Sequence, residues 1–203
     1  KICDLDLTQF NKEQTKYTTL QRSTLIEFLK DNIYSQHLRF GKRIEKISEQ
    51  KDKLLINFDD NTNDLVDHLI VADGIFSNTR SFFERNKNKP KFKNAIAIRT
   101  TLTSKNNINI DEKNINLMMG ANAHLVIYPI NKKNELNSVC IVRQKNFEPD
   151  NVKDLINKKV LNQNPNLKEL FQGDLKPWPL YSTISVNQSS NKKVFYLGDA
   201  FHG

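Results

Sequence analysis

The feature that most constrains the fold is an apolar run ending in a turn of glycine and aspartate, and it occurs twice. Residues 69–74 have the sequence LIVADG, and residues 194–199 have the sequence VFYLGD. Short apolar runs rich in β-branched and aromatic residues are typical of buried strands. Glycine at the end of such a strand lets the backbone turn sharply and lets a ligand approach it closely. The sequence therefore predicts two strand ends that present Asp73, Gly74, Gly198 and Asp199.

The first of these turns opens a longer motif, D-G-x-x-S-x-x-R, which adds Ser77 and Arg80. A helix from Ser77 to about residue 85 is expected to follow, and the free N–H groups at a helix N-terminus favour a phosphate. The motif would then place an acceptor, a donor and a cation within one turn. An ordinary strand–turn–helix connection without a ligand is the alternative interpretation.

The remaining pattern predicts an α/β or α+β chain in which sheet dominates. Apolar residues at helical spacing predict a helix near 19–32, and alternation predicts a small antiparallel sheet that ends in the D-G turn. After Pro90 we expect a broad mixed or antiparallel sheet, two helical segments, and a return to strand. The expected small sheet comprises residues 37–47, 53–58 and 65–71; the broad sheet comprises 95–103, 115–119, 124–130 and 136–144; the helices are 152–161 and 167–171; the last strands are 180–186 and 194–197.

Composition excludes several classes of protein. The chain has 203 residues, of which 37% are hydrophobic, and this is enough for a packed core. No apolar stretch approaches the roughly 18 residues of a membrane-spanning helix. Two cysteines without C-x-x-C spacing argue against a disulfide scaffold or a structural zinc site and favour a reducing, cytoplasmic compartment. The net charge of +8 comes from scattered lysines, so we expect no nucleic-acid partner and only weak attraction to anionic substrates or lipids.

The order of three motifs resembles the flavin-dependent aromatic hydroxylases, which are single-component FAD monooxygenases. These motifs are R-S-T-L at Arg22, D-G-x-x-S-x-x-R at Asp73, and Y-L-G-D-A-x-H at residues 196–202. Residues 119–130 look like a substrate-domain strand of the salicylate-hydroxylase branch. The resemblance implies a fold like that of para-hydroxybenzoate hydroxylase. Residues 1–90 and 181–203 would be parts of its FAD-binding domain, and residues 91–180 would be its sheet-rich substrate domain.

The resemblance also implies roles for individual residues. The expected cofactors are FAD and NAD(P)H, and the expected substrate is a small aromatic molecule. His124 would be the base for a phenolic proton and Tyr128 would face the same pocket, although both could instead be ordinary half-buried sheet residues. Arg99 would bind the substrate, and no metal is expected. The implied cofactor-binding residues are Arg22, Ile44, Asp73, Gly74, Ser77, Arg80, Gly198 and Asp199.

The sequence departs from the family pattern in ways that leave alternatives open. The dinucleotide motif G-x-G-x-x-G is absent from the 203 residues, and Phe201 and Gly203 differ from the family's usual residues. We therefore expect the chain to be an interior piece of a longer protein. A ubiquinone-pathway hydroxylase or a lipid epoxidase of the same fold is one alternative. A non-enzymatic basic binding module is another, but it would need lysines and aromatic residues clustered on one face.

Overall fold

The computed structural model describes residues 3–8, 11–12, 18–84, 89–103, 110–130, 135–183 and 189–203. The chain forms two compact units. Unit 1 contains Lys1–Ile33 and Ile96–Trp178, and unit 2 contains Tyr34–Ala95 and Pro179–Gly203. Residues 1–33 thus belong to the same unit as the large sheet, which differs from the expected grouping of residues 1–90.

Three helices and ten strands are present in the described residues. In chain order they are α1 (Arg22–Asp31), β1 (Ile44–Gln50), β2 (Lys53–Phe58), β3 (Asn63–Val66), β4 (Leu69–Val71), β5 (Lys91–Thr103), β6 (Asn116–Met119), β7 (Ala123–Pro129), β8 (Glu135–Arg143), α2 (Val152–Ile156), β9 (Lys176–Ser182), β10 (Val194–Tyr196) and α3 (Asp199–His202). This sheet-rich mixture agrees with the predicted fold class.

A five-stranded sheet in the order β6-β7-β8-β5-β9 forms the centre of unit 1. Burial alternates along its strands: in β8, Leu136, Ser138, Cys140 and Val142 are buried, whereas the residues between them are partly exposed. Such alternation is typical of a sheet with one face in the core and the other face accessible. The broad sheet predicted after Pro90 is therefore confirmed.

Helical segments supply the other buried apolar side chains of unit 1. Helix α2 continues directly into a π-helical turn, Asn157–Leu161, and a 3-10 segment follows at Pro165–Phe171. Val152, Ile156 and Val160 are buried along one side of this run. By contrast, α1 lies where the sequence predicted it but has no buried residue.

Unit 2 contains two small sheets, not the single antiparallel sheet that we expected. Strands β1, β2 and β3 are antiparallel, but β4 pairs in parallel with β10 from the other end of the chain. The first strand begins at Ile44 and not at residue 37, because Gly41 has a φ of +69° and turns the backbone out of the extended conformation. The buried side chains of this unit are Leu54, Val71, Val194, Tyr196 and Ala200.

The two faces of the large sheet predict different costs for the same substitution. Ile127 is fully buried on β7, whereas Ile141 on β8 is only partly buried on the accessible face. Ile127→Ala should lower the free energy of unfolding by about 2–5 kcal/mol because it leaves a cavity. Ile141→Ala should cost about 1 kcal/mol or less. Urea denaturation of both variants measures this, and equal losses would contradict the assignment of the faces.

Candidate functional site

The parallel pairing of β4 with β10 brings the two glycine turns to one edge of unit 2. The paired residues are Leu69 with Val194, Ile70 with Phe195, and Val71 with Tyr196. The Leu197 amide then donates to the Val71 carbonyl at 2.9 Å. Parallel strands end at the same edge of their sheet. Asp73, Gly74, Gly198 and Asp199, here called the strand-end edge, therefore lie at the same edge.

The two glycines of the strand-end edge have backbone conformations that L side chains rarely adopt. The φ of Gly74 is +85° and that of Gly198 is +59°. A Cβ atom added at either position would have no neighbour within 4 Å. Glycine is therefore required here by the backbone angle and not by crowding. The space beside both glycines leaves the backbone accessible to a ligand.

The turn after Asp73 differs from the helix that we predicted from Ser77 to about residue 85. Only a four-residue 3-10 turn forms, at Thr79–Phe82. This stretch is rich in Ser, Asn, Thr and Phe, which are poor helix formers, and the predicted end at residue 85 lies outside the described residues. The Thr79 amide already donates to Asp73 Oδ2 at 3.2 Å, and the Arg80 amide donates to Ser77 Oγ at 3.0 Å. The expected free helix N-terminus for a phosphate is therefore absent from this described turn.

Arg80 links the two motifs inside unit 2. It is only 5% exposed, and its Nη1 donates to the Ala200 carbonyl at 3.1 Å. Its Nε lies 3.5 Å from Glu84 Oε2. Burial raises the pKa of the Glu84 carboxyl, and the Arg80 charge opposes that rise. The contacts of Arg80 thus hold the G-D-A turn against the D-G turn.

The other predicted cofactor residues differ in accessibility. Asp199 is exposed, and its carboxylate makes no hydrogen bond within the described residues. Ile44 is half-buried at the start of β1 in unit 2, whereas Ser77 is buried in the turn. Arg22 is exposed on the first turn of α1 and is the one predicted cofactor residue that belongs to unit 1.

The accessible face of the large sheet carries the predicted substrate residues of unit 1, and we call it the open face. His124 pairs with Met119 and Ile141, and Tyr128 pairs with Asn137. His124 and Tyr128 are four residues apart on β7 and share this face, with Cα atoms roughly 13 Å apart. His124 is exposed and Tyr128 is half-buried. The structure therefore places both side chains where one small molecule could contact them.

Arg99 lies on β5, two strands away from β7 in the same sheet. Its guanidinium carbon lies 5.9 Å from the centre of the Trp178 ring, within cation–π range. Trp178 is 56% exposed on the neighbouring edge strand β9. It was not among the predicted site residues, although it is the only tryptophan in the sequence. The open face thus combines a cation, a large aromatic ring, an imidazole and a phenol.

Other chemistries find no support in the described residues. No group of three His, Cys, Asp or Glu side chains among them could hold a metal ion. No helix among them is long and apolar enough to span a membrane. Both cysteines are free, and burial raises the pKa of Cys140 to about 12, so its thiol stays neutral.

Comparison with known proteins gives a consistent family assignment. A family model described as squalene epoxidase matches residues 67–202. The FAD-dependent monooxygenase eupB of Phoma sp. is 25% identical over an alignment 202 residues long, which covers 90% of this chain and 45% of that protein. The chain thus spans about half the length of such relatives.

Solved structures of similar fold include Klebsiella pneumoniae HpxO complexed with FAD and uric acid. It has a TM-score of 0.77 at 18% identity, covering 90% of this chain and 48% of HpxO. A salicylate hydroxylase substrate complex has a TM-score of 0.72 at 18% identity, covering 89% of this chain and 50% of the other. The predicted resemblance and the predicted fold class are therefore confirmed.

The position of Arg80 predicts a large structural cost for its replacement. Arg80→Met should lower the free energy of unfolding by about 3–5 kcal/mol, because it leaves Glu84 without its partner in a mostly buried position. Arg39→Met is the control, since Arg39 forms an exposed ion pair with Asp64 at 2.7 Å. Solvent screens that pair, so its loss should change stability little. Similar effects of both substitutions on chemical denaturation would contradict the linking role of Arg80.

Proposed function

Because the chain belongs to the squalene epoxidase family, we propose that it is part of an FAD-dependent monooxygenase that hydroxylates an aromatic substrate with NAD(P)H and O₂. The observation that carries this proposal is the strand-end edge, where the D-G and G-D motifs meet although they are distant in sequence. The backbone at Gly74 and Gly198 is accessible there, and the Asp199 carboxylate is exposed. The FAD named for eupB and for HpxO supports the same cofactor here.

The residues of the strand-end edge fit a dinucleotide. Open space beside Gly74 and Gly198 leaves room for the pyrophosphate and its linkers to approach the backbone. Within the described part of the chain, the Asp199 carboxylate has no hydrogen-bond partner. Both of its oxygens could therefore accept hydrogen bonds from ribityl hydroxyls. Arg80 would position the edge through its hydrogen bond to Ala200. When bound, FAD supplies the oxygen-activating chemistry.

The open face of unit 1 is proposed as the substrate surface. Partly exposed Leu117, Val126 and Ile141 offer apolar area for a planar ring. Arg99, stacked on Trp178, would balance an acidic group on that ring. His124 would accept the phenolic proton at an imidazole nitrogen, which makes the ring more electron-rich for hydroxylation. We assign unit 1 as part of the substrate domain and unit 2 as part of the FAD-binding domain.

The free thiols of Cys3 and Cys140 support a reducing compartment, and we place the enzyme in the cytoplasm. Such an enzyme would require a small-molecule partner and no nucleic acid.

A lipid epoxidase is the second candidate function. The description of the matching family model favours it, and so does the apolar character of the open face, where Leu117 is 57% exposed and Met119 is 65% exposed. An alkene substrate needs apolar area and no base for a phenolic proton. The two candidates therefore differ in their dependence on His124 and in their products, which are a phenol or an epoxide.

Asp199 tests the cofactor assignment in the full-length enzyme. Asp199→Ala should weaken FAD binding roughly ten- to a hundred-fold, because a charge-assisted hydrogen bond to the ribityl chain is lost. Asp67→Ala is the control, since Asp67 is an exposed aspartate before the other end of β4 and should have no effect. FAD retained after dialysis, followed by flavin absorbance, measures the difference. Equal FAD retention in both variants would refute the role of Asp199.

His124 tests the hydroxylase mechanism against a structural role. His124→Ala should slow hydroxylation of a phenolic substrate by about 10²–10⁴-fold while the melting temperature stays unchanged. His68→Ala is the control, because His68 lies beside Phe195 in unit 2. NAD(P)H oxidation and product formation are measured separately. Loss of activity in proportion to loss of folded protein would exclude the catalytic role, and full activity with an epoxide product would favour the second candidate.

A further inference from the structure

A cavity of about 520 Å³ lies in unit 1 beside the surface proposed for the substrate. It is lined by the β6–β7 hairpin and by the segment that follows α2. Its volume falls within the roughly 300–1,000 Å³ of small-molecule sites. Arg99, Tyr128 and Trp178 of the open face do not line it, although His124 in the hairpin does. The cavity therefore adjoins the open face at Met119 and His124 but does not include Arg99, Tyr128 or Trp178.

The floor of the cavity is apolar. Leu125 and Cys140 come from the buried face of the sheet, and Val160 comes from the π-helical turn. Because burial keeps the Cys140 thiol neutral, with its pKa raised to about 12, this side chain behaves as a small apolar group. Met118 and Leu167 also line the cavity and are partly exposed, so a hydrocarbon group seated here would leave water for an aliphatic surface.

The rim is polar and carries positive charge without acidic groups. Lys159 and four carboxamide side chains line the cavity, and no Asp or Glu is among the lining residues that the structure describes. The carboxamides belong to Asn122, Gln163, Asn164 and Asn166. Lys159 has no ion-pair partner in the described part of the chain. A bound anion could therefore pair with Lys159 and accept hydrogen bonds from the carboxamide groups, and no carboxylate of the described lining would repel it.

The backbone around Lys159 is also unusual. Lys159 lies in the π-helical turn Asn157–Leu161, and such turns are rare and occur frequently at functional sites. The neighbouring Lys158 belongs to the same turn but does not line the cavity. The two lysines therefore form a natural pair for testing whether position or total charge matters.

We propose that this cavity binds an organic monocarboxylate with an apolar body, whose carboxylate pairs with Lys159 and whose hydrocarbon part lies on Met118 and Leu167 above the apolar floor. Charge complementarity selects the anion, and the aliphatic floor selects a hydrocarbon chain over a polar sugar or phosphate.

Isothermal titration of the full chain with octanoate tests this site, and octanamide serves as the neutral isostere. Octanoate should bind with one-to-one stoichiometry and about ten-fold more tightly than octanamide. Lys159→Gln should weaken octanoate binding about ten-fold and remove the preference for the acid, whereas Lys158→Gln should change binding by less than about two-fold. The absence of saturable binding, or equal losses in both lysine variants, would overturn the proposal.

Two further measurements locate the ligand. Ala121 is exposed in the hairpin turn and lines the cavity, so Ala121→Phe should obstruct it and abolish octanoate binding without changing the melting temperature. Emission of Trp178 reports on the open face, since it is the only tryptophan. Octanoate should leave that emission unchanged. A change in Trp178 emission that disappears in Arg99→Gln would place the octanoate on the open face and overturn the assignment to the cavity.

Discussion

The parallel pairing of β4 with β10 is the interaction on which the geometry of unit 2 depends. Val71, Val194 and Tyr196 bury their side chains around this short pair of strands, together with Leu54 from β2. Parallel strands need a long connection, and here that connection includes most of unit 1. Burial of a few apolar side chains therefore determines that the D-G and G-D turns leave the same edge. Without this pairing, the strand-end edge would consist of two unrelated turns.

Arg80 fixes the position of the G-D turn relative to the D-G turn through its hydrogen bond to Ala200. A buried guanidinium is costly to desolvate, and the Ala200 carbonyl and Glu84 offset that cost. Arg80 belongs to the D-G motif and Ala200 to the G-D-A turn, so the hydrogen bond between them joins the two motifs. The residues of the D-G-x-x-S-x-x-R motif thus fall into two groups. Its glycine and aspartate lie at the accessible edge, whereas its serine and arginine act within the protein. A motif read only as a set of ligand-binding residues would miss this division.

The sequence predicted most strands because the alternation of apolar and polar residues shows which face of a sheet is buried.

The sequence could not predict that β4 pairs with β10, since that contact joins residues distant in the chain. The helix expected after Ser77 did not form, because the Asp73 and Ser77 side chains accept hydrogen bonds from backbone amides and stabilise a 3-10 turn instead. Strand β9 begins at Lys176, before the expected residue 180. The sequence did not predict this start because Pro177 and Pro179 argue against a central strand. Prolines are tolerated on an edge strand, and β9 is an edge strand. The expected end of that strand at 186 lies outside the described residues. Trp178 was missed as a site residue for a similar reason, since only the fold places it beside Arg99.

The two faces of the large sheet relate the open face to the cavity. Successive residues of a strand alternate between faces, so Leu125 lies on the cavity floor while Val126 points to the open face. His124 stands where β7 enters the hairpin, and it belongs to both the cavity lining and the proposed substrate surface. A molecule in the cavity would therefore contact the hairpin that positions the proposed base. Because His124 itself lines the cavity, a bound molecule would contact this side chain directly. The same short hairpin thus connects the proposed binding cavity with the surface on which hydroxylation is proposed to occur.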